Sequence, residues 1–240
     1  MAEDAGALTR FYASPHGRLV IGTLRARLRA LWPVVPGAHT LGLGFALPYL
    51  RVWRTEPRDR TVACLPVQMG PARWPRHRPN LACVAEEDRL PFPDLHFDRV
   101  LMVHALEHAD QTRRMLREAW RVLKDDGRLM VVVPNRTGWW AYAERTPFGH
   151  GRPFSADQLA RLLATTMFRE LRRDGALYLP PFAWRPLLRT AGAWERIGRR
   201  LVPRLAGVVL IEAAKDMYAA IPAGEAAPAR RRVMSAMDSG

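Results

Sequence analysis

The run of residues 90–135, LPFPDLHFDRVLMVHALEHADQTRRMLREAWRVLKDDGRLMVVVPN, constrains the fold more than any other part of the chain. Two short apolar runs, 98–103 and 129–133, predict buried strands. Between them, residues 111–124 place apolar side chains on one helical face and arginines on the other. Gly127 follows this predicted helix, where glycine commonly ends a helix. Two buried strands joined by a helix form one strand–helix–strand unit of a parallel sheet.

The rest of the chain repeats this alternation of helices and strands. Residues 5–32 predict one or two helices, with a break at Pro15 and Gly17. Ser155 is a suitable N-cap for a helix that continues through Ala164. The other predicted strands are residues 39–45, 61–65, 81–85, 177–179 and 208–211. Short strands that alternate with helices indicate an α/β fold with a largely parallel sheet.

The length and the segment pattern predict one domain. A chain of 240 residues that is 48% hydrophobic can fill one core. We assign residues 1–221 to this domain, with N-terminal helices at 5–32 and a helical insertion at 182–205 that contains arginines and tryptophans. Residues 222–240 are rich in Ala, Pro, Arg and Ser and are expected to be a disordered tail.

The net charge of +14 raises the question of an acidic partner. The only lysines are Lys124 and Lys215, so nearly all of the positive charge is carried by arginine. The arginines are scattered along the sequence and do not form a stripe with interleaved aromatic residues, which a nucleic-acid groove would show. This pattern favours a solvated surface whose many arginines reflect a GC-rich coding sequence. The alternative is an acidic partner, namely an anionic membrane or RNA.

Cysteine usage and the N-terminal sequence bear on the compartment. The only cysteines are Cys64 and Cys83, and the N-terminus carries acids early with no apolar segment typical of a signal peptide. No stretch reaches the ~20 consecutive apolar residues that cross a bilayer. We therefore expect a cytoplasmic protein without a transmembrane segment. The sequence does not indicate an oligomeric state.

The predicted strand ends locate the candidate site. In open parallel sheets the ligand crevice lies beyond the carboxyl ends of the strands. The segments that follow the predicted strands are 45–50, 66–69, 86–88, 104–107 and 135–140. The last of these contains Trp139 and Trp140, and adjacent tryptophans in a regular helix cannot both face one core. One of the two is therefore a candidate to line a pocket or to contact a partner, and packing in the core is the favoured alternative.

The run 90–135 resembles the class I S-adenosylmethionine-dependent methyltransferases of the type 11 branch. The matching pieces are LPF, FD, LEH, the L–EA–RVLK helix and the strand that ends in PN. RPFSADQL and VVLIEAAKDMYAAIP later in the chain fit the same family. The resemblance implies a Rossmann-like three-layer sandwich with a seven-stranded, mostly parallel sheet, an antiparallel last strand and an S-adenosylmethionine cofactor over the strand ends.

The cofactor segments depart from the family pattern. The family's first strand ends acid-x-Gly-x-Gly-x-Gly, where glycine allows the backbone to approach the cofactor. Here Gly42 replaces the acid, Gly44 retains the first glycine, and Ala46 and Pro48 replace the next two. Pro66 stands about where the acid for the ribose hydroxyls is expected.

The resemblance retains an acidic segment after the third strand. Glu86 lies where the family places an acid near the adenine, and Glu87 is beside it. The resemblance therefore assigns cofactor binding to Gly42, Gly44, Ala46, Glu86, Glu87 and His104. Because it follows the fourth strand, His104 is also the candidate general base if it faces the crevice, and the alternative is a histidine packed in the core for structural reasons.

The sequence His104-Ala-Leu-Glu107-His108 has the H-x-x-E-H pattern of some zinc peptidases. Two histidines four residues apart can share a metal when both are helical. Here the pattern begins at a strand end, and the family's own LEH accounts for its flanks. We therefore expect no metal site.

These observations favour S-adenosylmethionine-dependent methyl transfer to a small-molecule acceptor. The sequence does not identify that acceptor. The altered glycine segment and the missing acids leave a second function open, namely a methyltransferase-fold protein that binds or regulates without catalysis. The net charge leaves a third, an RNA-binding methyltransferase.

Overall fold

A seven-stranded sheet organises the computed structural model, which describes residues 5–54, 60–75, 77–181 and 190–217. Its strands are β1 (His39–Gly44), β2 (Arg60–Pro66), β3 (Ala82–Ala85), β4 (Phe97–Val103), β5 (Leu123–Pro134), β6 (Phe168–Ala176) and β7 (Val208–Lys215). The strand order is β3-β2-β1-β4-β5-β7-β6. Strands β1 to β5 pair in parallel, and β7 is antiparallel to both β5 and β6. The predicted mostly parallel sheet with an antiparallel last strand is confirmed.

Five α-helices flank this sheet in the described ranges. They are α1 (Ala5–Ala13), α2 (Pro15–Leu31), α3 (Thr112–Val122), α4 (Ala156–Ala164) and α5 (Ala191–Leu201). The predicted break near Pro15 separates α1 from α2, because the Ser14 side chain accepts a hydrogen bond from the Gly17 amide and starts a new helix. Ser155 and Gln158 form a capping box that starts α4.

The helices cover both faces of the sheet. Helices α1 and α2 pack their apolar side against one face of β4, through residues such as Leu24, Leu101 and Val103. Helices α3 and α4 pack against the opposite face, through residues such as Leu116 and Leu159. The predicted three-layer α/β sandwich is thereby confirmed. None of the described helices is long and apolar enough to cross a membrane.

The predicted helix at 111–124 ends two residues earlier than expected. Helix α3 ends at Val122, and Leu123 already begins β5. The amides of Leu95 and His96 donate to the carbonyls of Arg121 and Val122, which draws the helix end into the sheet. Gly127 therefore lies inside a strand, and a Cβ there would be 2.7 Å from Leu123 Cγ. The prediction that Gly127 terminates the helix is wrong.

The predicted strand at 177–179 is also misplaced. The strand is β6, Phe168–Ala176, whose sequence FRELRRDGA is mostly polar. Among the described strands it lies at the sheet edge and pairs with β7 alone. The strand can therefore carry charged residues that face water. The predicted insertion 182–205 contains α5, while residues 182–189 and the predicted tail lie outside the described residues.

Candidate active site

The carboxyl ends of β1, β2 and β3 meet around a narrow crevice with a volume of about 10 Å³. It is lined by Leu43, Gly44, Cys64, Pro66, Ala85, Glu87, Leu90 and Met115. Of the predicted cofactor residues, Gly44 and Glu87 therefore lie together. They come from different strand ends, as expected for a ligand crevice in a parallel sheet.

Gly44 is fixed as glycine by its backbone. Its φ is +72°, in the left-handed region, and a Cβ there would lie 2.5 Å from the Val103 carbonyl oxygen and 2.8 Å from that of His104. The ends of β1 and β4 thus approach each other more closely than any other residue would permit.

Gly42 and Ala46 pack closely beside this turn. A Cβ on Gly42 would be 2.9 Å from Ala46 Cβ and 2.8 Å from Leu50 Cδ1. Ala46 has no exposed surface. Both residues pack the loop against the core, and their contact with a cofactor stays a prediction.

The two neighbouring glutamates occupy different environments. Glu86 is exposed, whereas Glu87 is buried and lines the crevice. The Glu87 Oε1 accepts a hydrogen bond of 2.9 Å from the Gln111 amide, just before α3. This bond holds the carboxylate at the positive end of the helix dipole. On the β2 side, Pro66 is buried and offers no side-chain acceptor.

A larger cavity of about 640 Å³ lies on the other side of the turn that follows β1. Tyr12 of α1 and the loop residues Phe45, Leu47 and Pro48 line it. Four arginines also reach its wall: Arg18, Arg25, Arg51 and Arg73. Its size is within the range of small-molecule sites, and its positive wall suits a carboxylate or phosphate.

His104 ends β4 in an unusual conformation. Its φ is +50°, and its ring is completely buried between Tyr12 and Phe148. The His104 Nε2 is 2.7 Å from the Tyr12 hydroxyl. The expectation that His104 itself faces the crevice is not met, because Tyr12 stands between the imidazole and the 640 Å³ cavity.

A chain of polar groups extends from this histidine. The Tyr49 hydroxyl donates to the Tyr12 hydroxyl over 3.0 Å, and burial raises the pKa of Tyr49. Because the Tyr12 hydroxyl accepts this hydrogen bond, its own O–H is available to donate to His104 Nε2. A neutral His104 then carries its proton on Nδ1, which lies 3.2 Å from Glu107 Oε1, a close contact between polar atoms that lacks hydrogen-bond geometry. This arrangement matches a histidine held between a hydroxyl and a carboxylate.

His108 completes the H-x-x-E-H sequence next to this pair. Side-chain atoms of His104, Glu107 and His108 all lie within 4.8 Å of one another. Burial lowers the pKa of His108, so its ring is neutral near pH 7. The expected absence of a metal stays a prediction, and the contact of Glu107 in the described residues is its 3.2 Å approach to His104 Nδ1.

Sequence reasoning missed Tyr12, Tyr49 and the inward role of Glu107. Tyr12 is 92 residues from His104 in the chain, and no spacing rule joins them. Trp140 is buried and donates to the Leu179 carbonyl, whereas Trp139 is 55% exposed, so the two rings do not face the same core. A pocket or partner contact for Trp139 stays a prediction.

Comparisons with known proteins agree with this geometry. Residues 43–131 match the family model described as a methyltransferase domain. An uncharacterized protein of Mycobacterium tuberculosis is 31% identical over 189 residues, which cover 74% of this chain and 63% of that protein. A probable S-adenosylmethionine-dependent methyltransferase of the same organism is 35% identical over 111 residues, or 45% of this chain and 39% of that protein.

A solved structure extends the likeness to the whole fold. It is a SAM-dependent methyltransferase of Thermotoga maritima, described as a possible histamine N-methyltransferase, with a TM-score of 0.62 and 20% identity. The likeness covers 87% of this chain and 94% of that one. The chain spans only 63% of the length of the first curated relative that it matches. Residues 43–131 thus match the methyltransferase domain family, and the chain shares the fold of this solved SAM-dependent methyltransferase.

Proposed function

We propose that this chain transfers a methyl group from S-adenosylmethionine to a small-molecule acceptor in the cytoplasm. The observation that carries the proposal is Gly44, a residue without room for a Cβ at the end of β1, inside the segment that matches the methyltransferase family. Gly44 also lines the crevice at the strand ends, where a residue without a side chain lets a ligand approach the backbone.

The residues fit such a cofactor in part. Gly44 provides close backbone approach, and Glu87 provides an acceptor for hydroxyl or amino groups. The arginine-lined cavity beside Phe45 provides volume and a positive partner for an amino-acid carboxylate. Pro66 leaves the ribose hydroxyls without the acid that the family resemblance implies.

When bound, S-adenosylmethionine supplies a methyl group on a positively charged sulfur, so the protein mainly has to align the acceptor. An acceptor that carries a hydroxyl or amine must also lose a proton. We propose that Tyr12, His104 and Glu107 together remove this proton from the acceptor. Tyr12 takes the acceptor's proton as its own passes to His104 Nε2, and Glu107 stabilises the resulting imidazolium.

Isothermal titration calorimetry with S-adenosylhomocysteine tests the cofactor assignment. We expect one site per chain for the wild type and an affinity about tenfold weaker for Glu87→Gln, because a charged acceptor becomes neutral. The substitution retains an oxygen for the Gln111 amide, so the fold should persist. Glu86→Gln is the matched control and should bind like the wild type. Weakening by Glu86→Gln alone would instead assign the contact to Glu86.

A second candidate function is binding without catalysis. The narrow strand-end crevice and the two prolines, Pro48 and Pro66, favour it. A folded wild-type protein that gives no heat with S-adenosylmethionine or S-adenosylhomocysteine at high micromolar concentration would support this function and contradict the enzyme proposal.

A further inference from the structure

Helix α5 and the turn after it carry apolar side chains on the outside of the molecule. Trp194, Ile197 and Leu201 are 40%, 56% and 71% exposed, and their spacing of three and four residues places them on one helical face. Val202 and Leu205 continue the exposed apolar surface. We call these five residues the apolar stripe.

The stripe is not the side by which the helix packs on the domain. The inward face of α5 is narrow, with Ala191 and Gly198 as its buried residues. A Cβ on Gly198 would be 2.4 Å from Tyr178 Cβ, so the helix lies directly on Tyr178. Glu195 fixes the same side by accepting a hydrogen bond from the Tyr178 amide. Because Gly198 and Glu195 hold the helix against Tyr178, the apolar stripe stays on the outside of the molecule.

Arginines accompany the apolar stripe. Arg196, Arg199 and Arg200 are exposed on α5 and line a shallow cavity of about 320 Å³. Arg204 is exposed in the turn beside Leu205. The one acid of the helix, Glu195, is bound to the Tyr178 amide on the inner side. The outer side of α5 thus combines positive charge with apolar surface.

A second exposed aromatic segment adjoins this region. Trp139 is 55% exposed and Tyr142 is also exposed. Their segment is joined to the turn after α5, because Thr137 Oγ1 donates to the Arg204 carbonyl over 2.7 Å and Asn135 Nδ2 donates to the Ala206 carbonyl over 2.7 Å. Aromatic rings of this kind are favoured at the boundary between lipid and water.

We propose that α5 and the apolar stripe dock on the surface of an anionic lipid bilayer. An amphipathic helix that presents Trp, Ile and Leu beside arginines has the composition of a helix that lies in the membrane interface. The arginines would pair with lipid phosphates, and the net charge of +14 would strengthen the attraction to an acidic surface. A nucleic acid would use the arginines but would leave Ile197 and Leu201 in water, so the apolar stripe favours lipid. This surface does not depend on the proposed methyl transfer.

Vesicle flotation tests the proposal with the whole chain. Wild-type protein should float with vesicles of phosphatidylglycerol and phosphatidylcholine, and much less with phosphatidylcholine alone. Ile197→Ser/Leu201→Ser should reduce the bound fraction at least about tenfold, because it removes apolar area without changing charge. Arg196→Gln/Arg200→Gln should reduce it by a similar factor at low salt.

Matched controls separate the surface from general effects. Arg113→Gln/Arg117→Gln removes the same charge from exposed positions on α3 and should bind like the wild type. Val35→Ser changes an exposed apolar residue outside α5 and should do the same. No flotation of folded wild type, or equal losses in the controls, would overturn the proposal. Unchanged flotation of Ile197→Ser/Leu201→Ser, or tighter binding of the wild type to RNA than to vesicles, would also overturn it. A concentration-dependent dimer of the wild type that Ile197→Ser/Leu201→Ser abolishes would do the same.

Discussion

Replacing Gly44 with alanine should abolish measurable S-adenosylhomocysteine binding and lower the free energy of unfolding by about 3–5 kcal/mol. The new Cβ would lie 2.5 Å from the Val103 carbonyl oxygen, and φ of +72° is strained for alanine. The turn must shift to relieve the contact, and this shift displaces the backbone that we assign to the cofactor. Urea unfolding followed by calorimetry on the folded fraction measures both effects.

Gly22→Ala is the matched control for this substitution. A Cβ at Gly22 in α2 meets no atom within 4 Å, so the variant should be as stable as the wild type or about 1 kcal/mol more stable. It should bind S-adenosylhomocysteine normally. If Gly44→Ala were as stable as Gly22→Ala and bound the cofactor equally well, the close approach of β1 and β4 would have no functional role.

Replacing His104 with alanine should lower the free energy of unfolding by about 3–5 kcal/mol. The change opens a cavity beside Phe148 and leaves the Tyr12 hydroxyl and the buried Glu107 carboxylate without the imidazole between them. Urea unfolding at pH 7 measures the loss. If methyl transfer can be followed with an acceptor, His104→Ala should also lower its rate by a factor of about 100 or more.

His104→Gly isolates the backbone part of this effect. Both variants remove the imidazole, but glycine tolerates φ of +50° and alanine does not. We expect His104→Gly to be about 1 kcal/mol more stable than His104→Ala. Equal stability of the two variants would show that the left-handed conformation stores no strain. A loss of unfolding free energy below about 1 kcal/mol in both variants would contradict the buried hydrogen bond between Tyr12 and His104.

Much of the fold follows from local patterns in the sequence. The buried parallel strands are predictable because they are continuous apolar runs. Helix α3 is predictable because its arginines and its apolar residues lie on opposite faces of a helix. The errors lie where tertiary contacts outweigh local preference. Strand β6 is polar because it is an edge strand, and α3 ends early because residues 95 and 96 bond to its last carbonyls.

The candidate site is less predictable for a different reason. Gly44 is predictable because it matches the first glycine of the family pattern, and Glu87 because it lies beside Glu86, which matches the acid of that pattern. Tyr12 was missed because its contact with His104 depends on how α1 packs over the sheet. The exposure of Glu86 and the burial of Glu87 depend on the path of one loop, which neighbouring acids in a sequence do not distinguish.

Hydrogen exchange measured by mass spectrometry, with and without saturating S-adenosylhomocysteine, tests the central claim most directly. Exchange reports on local opening of backbone amides, so it locates the ligand without an assay for the acceptor. A cofactor at the strand ends predicts slower exchange in residues 44–50 and 85–90, with little change in β6. Unchanged exchange throughout the chain, or protection confined to regions away from these two segments, would contradict the proposed cofactor site.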